Sequence, residues 1–107
     1  MVWEQLGNVM DMVKKLQQHV SQAEEQLKNE RIEVTSGDVV KVVVNGQQTV
    51  VAIELGGKYL TAENAGLLQE LLVATINNAM ARSRDMHQAA MGKLAGDLNL
   101  PNIPGLF

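Results

Sequence analysis

An unbroken run of spaced apolar residues in the first third of the chain constrains its fold most strongly. Seven residues recur at alternating steps of three and four: Leu6, Val9, Val13, Leu16, Val20, Ala23 and Leu27. This spacing draws one apolar stripe along a helix, with the heptad period of a coiled coil. No Gly or Pro interrupts residues 8–36. We therefore expect a helix over residues 4–30, roughly 40 Å long at the helical rise.

The middle third changes to a period of two, which is typical of β-strands. Ile32 and Val34 predict a short strand, and a turn at residues 36–38 follows it. Two β-branched runs, 39–44 and 49–55, are separated by a segment that begins with Asn-Gly, a strong hairpin signal. One face of this hairpin would carry Val40, Val42, Val44, Thr49, Val51 and Ile53. The other would carry Val39, Lys41, Val43, Val50, Ala52 and Glu54. The second face is apolar enough that we expect another surface to cover it.

A second long helix is predicted after the strands. Thr61 is a suitable N-cap, and Glu63 in the first turn favours the helix dipole. The apolar and small residues of its stripe extend to about Leu94: Ala65, Leu68, Leu72, Ile76, Ala79, Ser83, Met86, Ala90 and Leu94. Both prolines lie in residues 98–107, so we expect an extended tail there. The tail either docks on an apolar groove through Leu106 and Phe107 or is mobile.

The predicted fold class is α+β, with a long helix, a three-stranded antiparallel sheet and a second long helix (α-β-β-β-α). Residues 1–97 form a single domain, and residues 98–107 form the C-terminal tail. A compact chain of 107 residues has a radius of gyration of about 13 Å. Helices of roughly 40 and 50 Å do not fit within it, so they must project from the sheet as an arm.

A three-stranded sheet with an apolar second face is a poor monomer, so we predict a homodimer. The residues expected in core or dimer packing are Leu6, Val9, Val13, Leu16, Val20, Val40, Val42, Val51, Ile53, Leu72 and Ile76.

The sequence carries no recognisable catalytic or metal-binding pattern. It has no Cys, which excludes disulfides and thiolate metal sites. His19 and His87 lack an acidic or nucleophilic partner at local helical spacing. No apolar segment approaches the ~20 residues of a membrane span, and the first residues do not have the pattern of a secretion signal. We therefore expect a cytosolic protein that is not an enzyme, with no metal, cofactor, membrane or small-molecule substrate.

The positions of the positively charged residues have to be considered beside the net charge of the chain. Nine Lys and Arg against twelve Asp and Glu give a net charge of −3, which argues against a broad basic face. Lys14 and Lys15 fall opposite the first stripe, and Arg82 and Arg84 flank the second. Counted from the sheet ends of the helices, the two pairs lie roughly 26 and 32 Å along the arm, at nearly the same height. Lys93 lies farther out. These cations either meet phosphates of a partner or are ordinary solubilising charges.

Several short motifs together carry a family resemblance. They are Leu6-Gly7-Asn8-Val9-Met10, Glu33-Val34-Thr35, the segment from Val40 to Gly46, the segment from Leu68 to Ala79, and Pro104-Gly105-Leu106-Phe107. Their order and spacing resemble the YbaB/EbfC family of bacterial nucleoid-associated proteins over nearly the whole chain. The resemblance implies a tweezer-like homodimer with protruding helical arms. It also implies binding of double-stranded DNA with little sequence demand, and a role in nucleoid organisation and gene regulation in the bacterial cytoplasm.

The resemblance also implies that both helices contact DNA. It thereby favours Lys14, Lys15, Arg82 and Arg84 as DNA-binding residues, and Arg82 matches a position that is commonly basic in the family. Lys93, farther out on the second helix, is the fifth predicted DNA-binding residue. A second interpretation stays open, in which the chain is a protein-interaction or self-assembly module that uses its apolar arms and tail. The Met and Gln residues beside the first stripe support it, because Met surfaces adapt to partners.

Overall fold

The structure is a computed structural model that describes the backbone of residues 2–98 and the side chains of residues 7–98. Its main elements are α1 (Val2–Asn29), β1 (Ile32–Ser36), β2 (Val40–Val44), β3 (Val50–Leu55) and α2 (Ala65–Asp97). Two short 3₁₀ turns, Gly57–Tyr59 and Ala62–Asn64, join β3 to α2. The predicted α-β-β-β-α architecture is confirmed. Most of the predicted tail, residues 99–107, lies outside the described residues.

The three strands form one antiparallel sheet in the order β1-β2-β3. Val42, in the central strand, pairs with Val34 on one side and Ile53 on the other. A shift in register pairs Val44 with Val50 and leaves Val51 as an extra residue in β3. Directly paired residues share a face, so Val50 joins the Val42 face, and its predicted place on the second face was wrong. The pattern could not reveal this bulge, because residues 50–53 are all apolar.

The second face of the sheet is less apolar than we predicted. Val50 lies on the opposite face, and Val39 lies in the turn before β2. An ion-pair network crosses the second face instead. The Lys41 Nζ lies 3.4 Å from Glu33 Oε1 and 3.6 Å from Glu54 Oε2. With Val39 and Val50 placed elsewhere, the reason to expect a cover on this face is weaker, and that cover stays a prediction.

The core lies between α2 and the two strands β1 and β2. It is built from Val34, Val40, Val42, Val44 and Ala79, with Leu72, Ile76 and other half-buried residues packed around it. Thr75 is buried within this layer, and its Oγ1 lies 2.6 Å from the Oγ of Ser36. The first half of α2 thus packs over β1 and β2 and covers that face of the sheet. This cover stops short of β3, where Ile53 is 45% exposed and Leu55 is 38% exposed.

Three elements meet at the turn between β2 and β3. The Gly46 N–H donates to the Leu27 carbonyl at the end of α1 (2.8 Å). Ser83, fully buried in the middle of α2, donates from its hydroxyl to the Asn45 carbonyl (2.7 Å) and accepts from the Gln48 N–H (2.8 Å). We call Leu27, residues 45–48 and Ser83 the junction, since they tie both helices to the same end of the sheet.

Beyond the junction the two helices run antiparallel as a projecting arm. Glu24 of α1 contacts His87 of α2, and Leu98 lines a cavity with Val13 and Leu16. The described molecule is 74 Å long with a radius of gyration of 20.1 Å, far above the ~13 Å of a compact chain this size. The helices project beyond the sheet, as their predicted lengths required.

Helix α2 begins later than predicted. Thr61 precedes the short 3₁₀ turn and does not cap α2. Its Oγ1 accepts a hydrogen bond from the Asn64 side chain at 3.1 Å. The helix starts at Ala65 and continues to Asp97, three residues past the predicted end.

The junction makes a prediction for Gly46. A Cβ at this position would lie 2.8 Å from Leu27 Cδ2 and 2.9 Å from the Leu27 carbonyl oxygen. Gly46→Ala should therefore lower the free energy of unfolding by roughly 1–3 kcal/mol, because α1 must move away from the turn. Urea denaturation measures this change.

Gly92→Ala is the matched control. Gly92 lies within α2, and a Cβ there meets no atom within 4 Å. The same substitution should leave stability unchanged or raise it by up to about 1 kcal/mol, because Ala is the better helix former. Equal destabilisation by both variants would contradict the close approach at the junction.

Candidate nucleic-acid interface

The two lysines near the sheet are neutralised by neighbouring carboxylates. Lys41 lies between two glutamates on the second face, and its pKa is raised chiefly by the hydrogen bond to Glu33. Lys58 Nζ lies 2.9 Å from Asp38 Oδ2, and this contact is the main cause of a raised pKa for Lys58. The sheet therefore offers little free positive charge.

The cations of the two helices differ from those of the sheet. All five of the predicted cations are exposed: Lys14, Lys15, Arg82, Arg84 and Lys93. Among the side chains of residues 7–98, none of these five forms an ion pair within 4.0 Å. Arg82 is oriented by a hydrogen bond from its Nε to Asn78 Oδ1 (3.2 Å), which leaves both terminal nitrogens of the guanidinium for another partner. The five predicted DNA-binding residues thus carry positive charge that no described carboxylate neutralises.

These cations do not lie at one height, and this corrects our prediction. Arg82 and Arg84 flank Ser83 in the junction, at the base of the arm. Lys14 and Lys15 precede Leu27, the α1 residue of the junction, by 12 or 13 positions. They therefore lie roughly 19 Å farther out along the arm.

The error came from counting α2 as a projecting helix from its first residue. In the structure, the part of α2 before Ser83 covers the sheet, and only the remainder extends into the arm. Lys93 lies ten residues beyond Ser83, roughly 15 Å from the junction. The five cations are thus spread along the arm. Arg82 and Arg84 lie at its base, and Lys93, Lys14 and Lys15 lie farther out.

Two further cations lie near the junction, and the sequence pattern did not single them out. Arg31 donates from Nη1 to the carbonyl oxygens of Lys28 (3.1 Å) and Glu30 (2.8 Å), so it caps the end of α1. Lys28 is the residue after Leu27 and is exposed. Its position in the last turn of α1 was the only available signal, and that position is common for any helix.

An interhelical polar cluster lies just above the junction. His87 Nε2 lies 2.6 Å from Glu24 Oε1, and Gln47 Nε2 donates to Glu24 Oε2 (3.0 Å) and to the Glu24 carbonyl (3.1 Å). The His87 hydrogen bond is the main reason that the pKa of Glu24 is below its ordinary value, against the opposing effect of burial. The cluster joins α1, α2 and the hairpin turn.

Sequence reasoning found no partner for His87 because Glu24 is 63 positions away, outside any local spacing. The other histidine, His19, is exposed and lines a groove of about 420 Å³ between the helices, together with Gln22, Gln26 and Lys93. Within the described residues, no three His, Asp or Glu side chains gather as a metal site would require.

The residues predicted for core or dimer packing occupy three environments. Val40 and Val42 are buried, and Leu16, Val20, Leu72 and Ile76 are half-buried. Val9, Val13, Val51 and Ile53 are exposed, and the side chain of Leu6 lies outside the described residues. The exposed members form two separate surfaces, one on β3 and one on the outer half of α1.

Comparison with known proteins gives consistent matches. Residues 3–98 match the profile of the YbaB/EbfC DNA-binding family. A nucleoid-associated protein from Syntrophobacter fumaroxidans is 38% identical over 110 residues, covering 100% of both chains. Another nucleoid-associated protein, from Pelotomaculum thermopropionicum, is 38% identical over 103 residues and 95% of each chain.

A crystal structure of an uncharacterized protein from Helicobacter pylori has the same fold, with a TM-score of 0.74 over 90% of this chain and 99% of that one. At 23% identity this likeness concerns the fold alone. Over residues 2–98, neither helix is long and apolar enough to cross a membrane.

The Glu24 contacts predict a specific pH dependence. Since folding lowers the pKa of Glu24, its stabilising effect is complete above the ordinary carboxylate range and is lost as the pH falls through the lowered value. Glu24→Gln should lower the free energy of unfolding by roughly 1 kcal/mol at pH 7. The difference from the parent protein should shrink as the pH falls below about 4.

Urea denaturation at several pH values provides the measurement. Glu25→Gln is the control, because Glu25 is the next residue, is exposed and forms no ion pair within residues 7–98. A Glu24→Gln effect that is constant with pH, or equal in the two variants, would refute the role of the Glu24 charge.

Proposed function

This chain belongs to the YbaB/EbfC DNA-binding family, and on that basis we propose that it is a nucleoid-associated protein that binds double-stranded DNA through the backbone phosphates. The observation that carries the proposal is the contrast between its cations. The lysines near the sheet are held by carboxylates, whereas the five cations on the helices have no described carboxylate partner. A polyanion that approaches the arm therefore meets positive charge that the protein itself does not neutralise.

The arrangement suits contact with phosphates more than recognition of bases. The chain has one Trp, one Tyr and one Phe, so it offers few side chains for base stacking. The two cation levels, Arg82 with Arg84 and Lys14 with Lys15, are roughly 19 Å apart. This separation is about half of the 34–36 Å helical repeat of DNA, so both levels can reach phosphates of one duplex. Such contacts position the protein but carry no sequence information directly.

We further propose that the protein acts as a homodimer that uses the uncovered β3 edge. The apolar side chains Val50, Val51, Ile53 and Leu55 are each between 36% and 46% exposed, on an edge strand that α2 does not cover. An exposed apolar edge strand is a template for pairing with another chain. Pairing two β3 strands would cover this surface and give the assembly two arms.

A dimer with two arms supplies a simple mode of action in the bacterial nucleoid. Each arm carries one set of cations, so two segments of duplex, or two sites on one segment, can be held together. Binding of this kind organises DNA and influences transcription without catalysis, and it requires neither metal nor cofactor.

A second function, as a protein-interaction module, is favoured by one observation. On the outer half of α1, Val9, Met10, Met12 and Val13 are between 47% and 61% exposed. Adaptable Met-rich surfaces bind other proteins. Under this alternative, affinity for a protein partner would depend on these residues, and DNA would give no saturable binding near 0.15 M salt.

The DNA proposal predicts the behaviour of two variants that remove equal charge. In Lys14→Gln/Lys15→Gln, the affinity should fall on every duplex sequence. The slope of log affinity against log salt should become shallower by about 0.9 for each phosphate that the protein no longer neutralises. Fluorescence anisotropy titrations on two unrelated duplexes at several salt concentrations measure both quantities.

The control is Lys41→Gln/Lys58→Gln, which changes the net charge by the same amount on the sheet side. It should leave the salt slope unaltered. If both double variants bind equally weakly, net charge rather than the arm governs binding. If both bind as the parent does, the arm is not the binding surface.

The dimer proposal predicts that a charge on β3 separates the protomers. Ile53→Asp should shift the protein from dimer to monomer at micromolar concentration, because the paired edge would strip the new carboxylate of its hydration. Sedimentation equilibrium measures the mass. Met10→Asp, which places the same charge at an exposed apolar residue of the outer arm, should remain dimeric. A parent protein that sediments as a monomer contradicts the dimer proposal itself.

A further inference from the structure

The outer half of α1 has an apolar surface that α2 does not cover. Helix α2 ends at Asp97, at the level of Val13 and Leu16 on α1, and α1 continues outward to Val2. Leu98 is one wall of a cavity of about 360 Å³ whose other lining residues, all on α1, are Val9, Met12, Val13, Lys15 and Leu16. Two of these lining residues remain largely exposed, Val9 at 55% and Met12 at 61%. The stripe that predicted α1 is therefore paired with α2 along only part of its length.

We propose that residues 99–107 of the same chain dock along this surface, continuing outward in the direction of α2. The starting point is fixed, because Leu98 already lines the cavity and Asn99 is the next residue. No linker has to be closed, so the effective concentration of the segment at the surface is high. The proposal concerns an interaction within the chain and does not depend on DNA binding.

The composition of residues 99–107 fits an apolar groove. Four of the nine are apolar, namely Leu100, Ile103, Leu106 and Phe107, and none carries a charged side chain. The two prolines exclude a helix and restrict the backbone before binding, which reduces the entropic cost of docking. The steps between the apolar residues match the three-residue turn of a polyproline II strand, which would align Leu100, Ile103 and Leu106 along one edge.

The extended length of residues 99–107 exceeds the length of the uncovered surface. From Val13 to Val2, α1 extends roughly 17 Å at the helical rise. Nine residues in a polyproline II conformation extend roughly 28 Å. The segment is thus long enough to follow the whole uncovered part of α1.

A helix from a second copy is the less suitable occupant. Helices that pair by a heptad seam choose their partners through complementary charges beside the seam. Met10, Met12 and Gln17 lie in those positions here, so the outer seam specifies no helical partner. The adjoining residues 99–107 need no such selection, because they are covalently attached.

Engineered cysteines test the inference cleanly, since the chain contains no Cys. Five residues of polyproline II place Ile103 roughly 16 Å outward from Leu98, near the level of Leu6 on α1. In Leu6→Cys/Ile103→Cys, mild oxidation should form an intrachain disulfide, because the docked segment brings the two positions together. Asn8→Cys/Ile103→Cys is the matched control, with the first cysteine only two residues away but about 200° around α1. We expect the Leu6 pair to form at least tenfold faster, as measured by thiol alkylation and mass spectrometry without DNA.

Equal rates for the two pairs would overturn docking at this surface. A product that is only a covalent dimer, at twice the mass of the chain, would assign the groove to another copy and would also overturn the proposal. Neither result bears on DNA binding, which is measured separately on the parent protein.

Hydrogen exchange gives a second test that introduces no cysteine. Leu100→Asp/Ile103→Asp should accelerate amide exchange in residues 9–16 several-fold, because the segment no longer covers the outer turns of α1. Asn99→Asp/Asn102→Asp adds the same charge at polar positions and should preserve the parent exchange rates. Unchanged protection in the first variant would contradict the inference. These substitutions lie outside the described core, so the fold of residues 2–98 should be retained.

Discussion

The buried hydrogen bonds of the junction determine where the arm begins, and the remaining geometry depends on that point. Ser83 is fully buried, and its hydroxyl both donates and accepts across the turn between β2 and β3. Leaving such a group unpaired costs about 1–3 kcal/mol, so the register of α2 against the sheet is well specified. Because Gly46 has no side chain, the end of α1 can approach the same turn closely. The core lies on the sheet side of the junction, and the arm extends from its other side.

The order and type of the elements could be predicted because each has a clear period. The stripe from Leu6 to Leu27 requires a helix, and the β-branched runs around Asn45 require strands. The gross shape followed as well, since helices of that length do not fit in a compact chain. The bulge at Val51 could not be predicted from the sequence, because every residue beside it is apolar. A shift of the strand register by one residue would leave the same pattern of apolar residues.

The candidate site was less predictable than the fold. The sequence picked out cations on the two helices, but it placed Lys14 and Arg82 at the same height. Their true levels depend on how much of α2 lies on the sheet, which is decided by Thr75, Ala79 and Ser83 in tertiary packing. The pairing of His87 with Glu24 is likewise a tertiary contact and leaves no local signal.

Because the net charge is −3, the positions of the cations matter more for the proposed DNA binding than the total charge does. Carboxylates neutralise Lys41 and Lys58 close to the sheet, at distances of 2.9–3.6 Å. The helical cations have no such partners among the described side chains and lie on an elongated arm. A polyanion approaching the arm therefore meets an electrostatic surface that the overall charge does not represent.

A map of the residues that respond to added duplex DNA tests most directly whether the arm is the binding surface. Two-dimensional NMR of the labelled protein, titrated with two unrelated duplexes, reports each backbone amide separately. If the arm binds phosphates, chemical shifts should change along the arm, around Lys14, Lys15, Arg82 and Lys93, in the same pattern for both duplexes. Shifts concentrated on the sheet around Lys41, or an arm that does not respond to either duplex, would contradict binding by the arm.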